Sequence, residues 1–166
     1  NAAITYNKGG AVLHMLREQV GTENFWKAVK IYLNRHKLAS VETTDLKRAM
    51  EESSGQDLGW FFDQWVYGIS APKLTVKPVY NSRTKTLKLT ITQTQKSEAL
   101  VTSAFRIPLD IEIKAGRNTS TKPITVTKRI ETITIPSASK PTEIVLDPKD
   151  KVILKTVKML PITVVR

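Results

Sequence analysis

The chain has 166 residues, 40% of them hydrophobic and 25% charged, which suits one or two small domains with a real core and excludes a disordered segment. It contains no cysteine, so disulfides and thiolate metal sites are excluded. No apolar run approaches the roughly 20 residues that cross a bilayer, and no cationic-then-apolar leader opens the chain.

The net charge of +11 is unevenly placed. Residues 1–72 carry eight Lys/Arg and eight Asp/Glu, whereas residues 73–166 carry eighteen and seven. Nine of the eleven aromatics, including Trp26, Trp60 and Trp65, lie in the first part. Both shifts put a domain boundary near Pro72, with domains 1–72 and 73–166. There is no initiator Met, and Asn1-Ala2 is read as the remnant of a cleaved tag.

The first part reads as four helices. From Lys8 to Val20 the residues Val12, Leu13, Leu16 and Val20 fall at helical spacing, and Gly21 stands where a left-handed C-terminal cap belongs. Thr22 is then the expected N-cap of a second helix, with Phe25, Val29, Tyr32, Leu33 and His36 as its stripe. A third helix is expected from Thr43 or Thr44 through Leu46, Ala49 and Met50 to Ser54-Gly55. Asp57 is the expected cap of the fourth, whose Leu58, Phe61, Phe62, Trp65 and Val66 step as a core-facing helix does. Gly68 and Pro72 end it.

After Pro72 the hydrophobic period changes from 3.6 to 2. Leu87, Leu89 and Ile91 alternate with polar residues, as do Phe105, Ile107, Leu109, Ile111 and Ile113. Shorter strands are expected at Lys73–Val76, Ile124–Thr127, Thr132–Ile135, Glu143–Leu146 and Val152–Leu154. Asn81-Ser82-Arg83 reads as a turn, and the register slip between Ile130 and Ile133 as a turn or bulge. Pro108, which has no amide to donate, marks an edge or a bulge. About seven short strands uninterrupted by helix point to an antiparallel β-sandwich of immunoglobulin-like type and away from a parallel sheet. The fold class is therefore α+β: a short helical bundle followed by this sandwich. Thr156–Arg166 shows no helical stripe.

A metal site needs several converging donors, and the chain offers only His14 and His36 as histidines. His14 lies off the Val12/Leu16 stripe and reads as a solvated helix residue; His36 closes the second helix, where its imidazole interacts well with the helix dipole. No Gly-x-Ser-x-Gly elbow occurs, and Lys8-Gly9-Gly10 lacks the spacing of a phosphate-binding loop. Eighteen sandwich cations would attract phosphate. That domain has only Tyr80 and Phe105 as stacking platforms, however, and Phe105 lies on the apolar stripe. Nucleic acid is therefore not the expected partner, and the lysines read as a solubilising, edge-protecting surface. Asn118-Thr119-Ser120 fits the glycosylation sequon, a triplet that is common by chance.

The segment Thr5-Tyr6-Asn7-Lys8-Gly9-Gly10-Ala11-Val12-Leu13-His14-Met15-Leu16 resembles the "Tyr-x-Lys-Gly, then apolar helix" segment of the aminopeptidase N family of zinc exopeptidases. Thr44-Asp45-Leu46 through Ser54-Gly55-Gln56-Asp57-Leu58 and Phe61-Phe62-Asp63-Gln64-Trp65-Val66 match the next blocks of that family. Pro72-Lys73-Leu74-Thr75-Val76 resembles the start of its sandwich domain. Phe105-Arg106-Ile107-Pro108-Leu109 and Val145-Leu146-Asp147-Pro148 resemble later landmarks. The blocks recur in the right order over nearly the whole chain, which makes the likeness specific.

This resemblance implies one catalytic residue, Tyr6, whose phenol would stabilise the oxyanion of the tetrahedral intermediate. A phenol is a suitable neutral donor for such a charge. The family's zinc ligands, a His-Glu-x-x-His helix and a Glu on the next helix, are absent here. So is its Gly-x-Met-Glu-Asn segment. The resemblance thus implies zinc in the parent protein and none bound by this fragment. It implies a peptide as the parent's substrate, packing of the fragment on a missing upstream catalytic domain, and no activity of the fragment alone. Two alternatives stand beside it. One is a pseudo-peptidase scaffold, as in the transcription-initiation subunit that shares this architecture; the other is a basic interaction module.

Overall fold

The computed structural model describes residues 2–166; the expectation about Asn1 lies outside them. The chain forms two compact units, residues 1–69 and 70–166.

In the helical unit, α1 spans Ala2–Val20, two turns longer at its start than the apolar spacing indicates. Val12, Met15, Leu16 and Val20 are buried, whereas residues 6–10 supply no apolar stripe. Gly21, at φ 86, separates α1 from α2 (Thr22–Arg35) and is itself the N-cap of α2. Thr22 makes no side-chain cap, because it already stands in the first turn. The expected stripe of α2 is only partly covered: Phe25 is buried, whereas Leu33 is 61% exposed, and Ala28, outside that stripe, is buried as well.

Helix α3 (Thr43–Ser54) opens on a reciprocal capping box between Glu42 and Asp45 and closes on Gly55 at φ 69. Gly suits that left-handed position because it has no Cβ to clash. The amide of Leu58 donates to the Glu51 carboxylate at 2.9 Å, fixing the start of the next element. There Asp57 accepts the Gly59 amide at 2.8 Å, ahead of the short α4 (Gly59–Phe62). The helix then widens into a π-helical turn over Asp63–Tyr67, closed by the Gly68 amide on the Asp63 carbonyl at 2.8 Å. Leu58, Phe61, Phe62 and Trp65 are all buried. Each such aromatic stabilises the unit by about 1.5–3 kcal/mol relative to exposure. Val66 is only half-buried.

The second unit is a two-sheet sandwich. One sheet contains β1 (Lys73–Asn81), β2 (Thr86–Gln93), β5 (Ile130–Pro136), β7 (Thr156–Met159) and β8 (Thr163–Val165); the other contains β3 (Ile107–Ala115), β4 (Asn118–Val126) and β6 (Glu143–Leu146). Their orders are β5-β2-β1-β7, with β8 also on β1, and β4-β3-β6. Leu74, Val76, Tyr80, Leu87, Leu89, Ile91 and Ile135 of the first sheet are buried, as are Ile107, Leu109, Ile111, Ile113, Val126, Ile144 and Leu146 of the second.

Pairing is mostly antiparallel, as the alternation indicates, with the short β7 and β8 running parallel to β1. The chain reaches them from β6 of the opposite sheet, so a loop between sheets replaces the helical crossover. A correction concerns Ile130: β5 is continuous from Thr92↔Ile130 to Thr86↔Pro136, without a bulge. Ile130 simply faces outward, 59% exposed, while Ile135 faces the core.

Pro78 and Pro108, in the central strands β1 and β3, fall where no amide is needed. Pro108 pairs with β4, but β6 contacts only the later part of β3, Ile111–Lys114. Pro78 lies opposite the gap between β7 and β8, since β1 pairs with them at Lys73–Val76 and Val79–Asn81. Val152–Leu154 forms no strand. The carboxylate of Asp147 instead accepts the amides of Lys151 (3.0 Å) and Val152 (2.8 Å) and folds that segment into a turn.

Candidate functional site

Tyr6 lies within α1 and is 79% exposed. It is therefore a helical residue, not one preceding the helix. Asn7, Gly9 and Gly10 are also exposed. The consecutive glycines each cost about 1 kcal/mol relative to Ala in a helix interior. A Cβ at either would meet nothing within 4 Å, so packing inside this unit gives no reason for them.

Lys8 is the half-buried residue of this turn. Its ammonium donates to the carbonyl of Gly68 at 3.1 Å, across sixty residues of sequence. Gly68 closes the π-helical turn, and a Cβ there would stand 2.6 Å from the Gln64 carbonyl oxygen. Its φ of −70° is ordinary, so the need for glycine is steric. Beside Lys8 runs an open, mainly apolar groove of about 600 Å³ whose walls include Val12, Leu16, Tyr32, Leu46, Phe62 and Trp65.

The two histidines do not converge. His14 Nδ1 is 3.3 Å from Arg17 Nη2. His36 caps the end of α2, with Nε2 3.9 Å from Asp45 Oδ1 and its ring tilted against Tyr32. Among the described residues no three His, Cys, Asp or Glu side chains could hold a metal ion together. The donors present therefore do not fit zinc.

Sequence reasoning missed a buried polar cluster in the sandwich. Gln93 and Gln95 are both almost fully buried. Gln93 Oε1 accepts the Phe105 amide at 2.8 Å, and its Nε2 donates to the carbonyls of Phe105 (2.8 Å) and Lys128 (3.2 Å). Gln95 Nε2 donates to Gln93 Oε1 and, at 3.4 Å, to the Ser103 carbonyl. The cluster ties the loop before β3 to the end of β2.

Charge also differs between the two outer faces of the sandwich. Lys73, Lys77, Lys88 and Lys158 share the outward side of the five-stranded sheet with a field of threonines, and no carboxylate occupies an outward strand position there. Lys158, Lys77 and Lys88 form a diagonal line across β7, β1 and β2, with steps of about 7–8 Å. On the other sheet Lys151 pairs with Asp110 at 3.4 Å, and Lys114 with Glu143 at 2.8 Å. The hydrogen bond and charge of Glu143 hold the Lys114 ammonium above the usual lysine range.

Residues 2–65 match the peptidase family M1 domain. The chain is 36% identical over 106 residues to aminopeptidase N of Escherichia coli (strain K12), covering 64% of this chain and 12% of that protein. It is 31% identical over 114 residues to tricorn protease-interacting factor F2 of Thermoplasma volcanium, covering 69% of this chain and 14% of that protein. In structure it resembles Legionella pneumophila aminopeptidase A, solved in complex with aspartic acid, with a TM-score of 0.71 and 21% identity over 90% of this chain and 17% of that one. The helical unit and mostly antiparallel two-sheet unit thus have the fold of a segment of an aminopeptidase. These likenesses align the chain with the aminopeptidase N family of metallopeptidases, and it spans only 12–14% of the length of the two relatives just compared.

Proposed function

We propose that the chain is the rear of the catalytic domain and the adjoining sandwich of a zinc-dependent aminopeptidase that releases N-terminal residues from peptides. In that reading Tyr6 donates its phenolic hydrogen to the oxyanion that develops as the scissile carbonyl becomes tetrahedral, the interaction that strengthens most toward the transition state. The observation that carries the reading is Tyr6 itself: a solvent-facing phenol on a Tyr-x-Lys-Gly turn of a helix that enters the core from Val12 onward. In that reading zinc belongs to the parent, and among the described residues no three donors come together to hold it. The uncovered Leu33 and the apolar groove beside α1 favour packing of the helical unit on upstream residues of the parent.

The test is Tyr6→Phe in the full-length parent. The expected result is a kcat lower by about 10²–10³, the usual cost of one oxyanion donor, with KM little changed. An unchanged kcat overturns the assignment. The 166-residue chain alone is expected to bind no zinc by elemental analysis and to cleave no aminoacyl substrate; activity above its own Tyr6→Phe control refutes that.

The lysine face of the five-stranded sheet supports a second reading, a non-catalytic module binding a polyanion. Salt-dependent retention on heparin that disappears when Lys73, Lys77, Lys88 and Lys158 are changed to Gln would favour it. Loss of the His-Glu-x-x-His segment from the parent's reading frame would favour a scaffold over a peptidase.

A further inference from the structure

We infer that Lys8 is a positioning residue for Tyr6, holding the first turns of α1 in place through its hydrogen bond to the Gly68 carbonyl. This rests on the role proposed above for Tyr6.

Three observations carry the inference. Tyr6, Asn7, Gly9 and Gly10 are exposed, so burial does not fix the direction of this turn. Gly9-Gly10 stands between Tyr6 and the first buried residue, Val12, and glycines loosen a helix because they keep the most backbone freedom in the unfolded state. The Lys8 ammonium, 3.1 Å from the Gly68 oxygen, ties this turn to another element.

The other end of the tether is rigid. Gly68 follows a π-helical turn anchored by the buried Trp65, and its own amide is held on the Asp63 carbonyl. A Cβ at 68 would stand 2.6 Å from the Gln64 carbonyl oxygen, so no side chain fits there. A charged donor on a fixed carbonyl makes a stronger and more directional bond than a neutral pair. Loosening it lets the phenol wander from the developing oxyanion. A displacement near 1 Å can cost about 10²-fold in rate.

The experiment uses Lys8→Met, Lys8→Arg, Tyr6→Phe and the Lys8→Met/Tyr6→Phe double variant. Kinetics are read in the full-length parent and amide hydrogen exchange in the 166-residue chain. Lys8→Met is expected to lower kcat by about 10–100-fold with KM within about twofold. Lys8→Arg, which keeps the donor, is expected to recover most of the loss. In the Tyr6→Phe background Lys8→Met should change kcat little further, because there is no longer a phenol to position. Exchange should accelerate at residues 6–10 and stay unchanged at Phe62 and Trp65.

Equal losses from Lys8→Met with and without the phenol, or faster exchange throughout the helical unit, would mean a structural role and overturn the inference. An unchanged kcat in Lys8→Met beside a damaged Tyr6→Phe overturns it while sparing the role of Tyr6. If Tyr6→Phe leaves kcat intact, the role of Tyr6 fails and the inference falls with it, a result distinguished by the tyrosine variant alone.

Discussion

Replacing Gln93 by Leu tests whether the buried amide cluster holds the sandwich together. The side chain is fully buried, with Oε1 on the Phe105 amide at 2.8 Å and Nε2 on the Phe105 carbonyl at 2.8 Å. Leucine fills nearly the same volume but takes the acceptor from the Phe105 amide and the donor from the Phe105 and Lys128 carbonyls. Losing such a bond costs a buried backbone group about 1–3 kcal/mol, so these losses together cost about 2–6. The extra apolar contact returns about 1 kcal/mol, leaving a net loss of about 3. Gln95 Nε2 would keep its 3.4 Å contact with Ser103, which limits the damage. The measurement is native-state hydrogen exchange at Leu87, Leu89 and Ile91, whose side chains line the core beside this cluster. At about 1.4 kcal/mol per tenfold, protection should fall by about a hundredfold. Tryptophan fluorescence is no substitute, because Trp26, Trp60 and Trp65 all lie in the helical unit. Protection reduced less than threefold would show that water or a repacked loop replaces the glutamine, and the reasoning would fail.

Asp147→Ala should destabilise the turn after β6 by about 2–4 kcal/mol, because two amides lose their carboxylate acceptor and alanine is strained at the φ of 49° observed there. Urea unfolding and limited proteolysis across residues 147–155 check it; wild-type resistance in both would refute it. Glu131 supplies a pH dependence. The Thr127 amide first, then the Lys128 amide and charge, hold its carboxyl below the usual glutamate range despite a smaller opposing effect of burial. A group with a lowered folded pKa adds stability that is complete above its unfolded pKa and is lost as pH falls through the folded one. The β4–β5 connection should therefore loosen only in acid below the ordinary glutamate range. A carboxyl NMR titration should show the low value, and Glu131→Gln should abolish this part of the acid dependence.

Much of the architecture is legible where burial imposes a period. Ile107, Leu109, Ile111 and Ile113 alternate because one face of β3 meets the core, and Leu58, Phe61, Phe62 and Trp65 mark one side of a helix for the same reason. The unseen elements are those whose stabilisation is not apolar. β7 and β8 are exposed edge strands held by backbone pairing to β1, so their side chains carry no alternation. Gln93 and Gln95 look like surface residues because nothing in their type reveals that a loop will fold over them. The π-helical turn is likewise silent, since its first consequence is a carbonyl direction and not a side-chain stripe. Tyr6 was readable only through the Tyr-x-Lys-Gly resemblance, and the pairing of Lys8 with Gly68 spans a separation that no local pattern reports.

The exposure of Tyr6 follows from the task proposed for it. A hydroxyl that must meet a reacting group contributed by other residues cannot be packed within its own unit, so its aim cannot come from burial. It has to come from the backbone that carries it, and that backbone contains two glycines immediately downstream. Such a turn is easy to displace and calls for a fixed point close to the phenol. Lys8 is two residues away, and its flexible stem ends on a carbonyl held by a core tryptophan's own turn. The arrangement separates two requirements that a single buried aromatic could not meet together: access for the chemistry and a defined position for the donor.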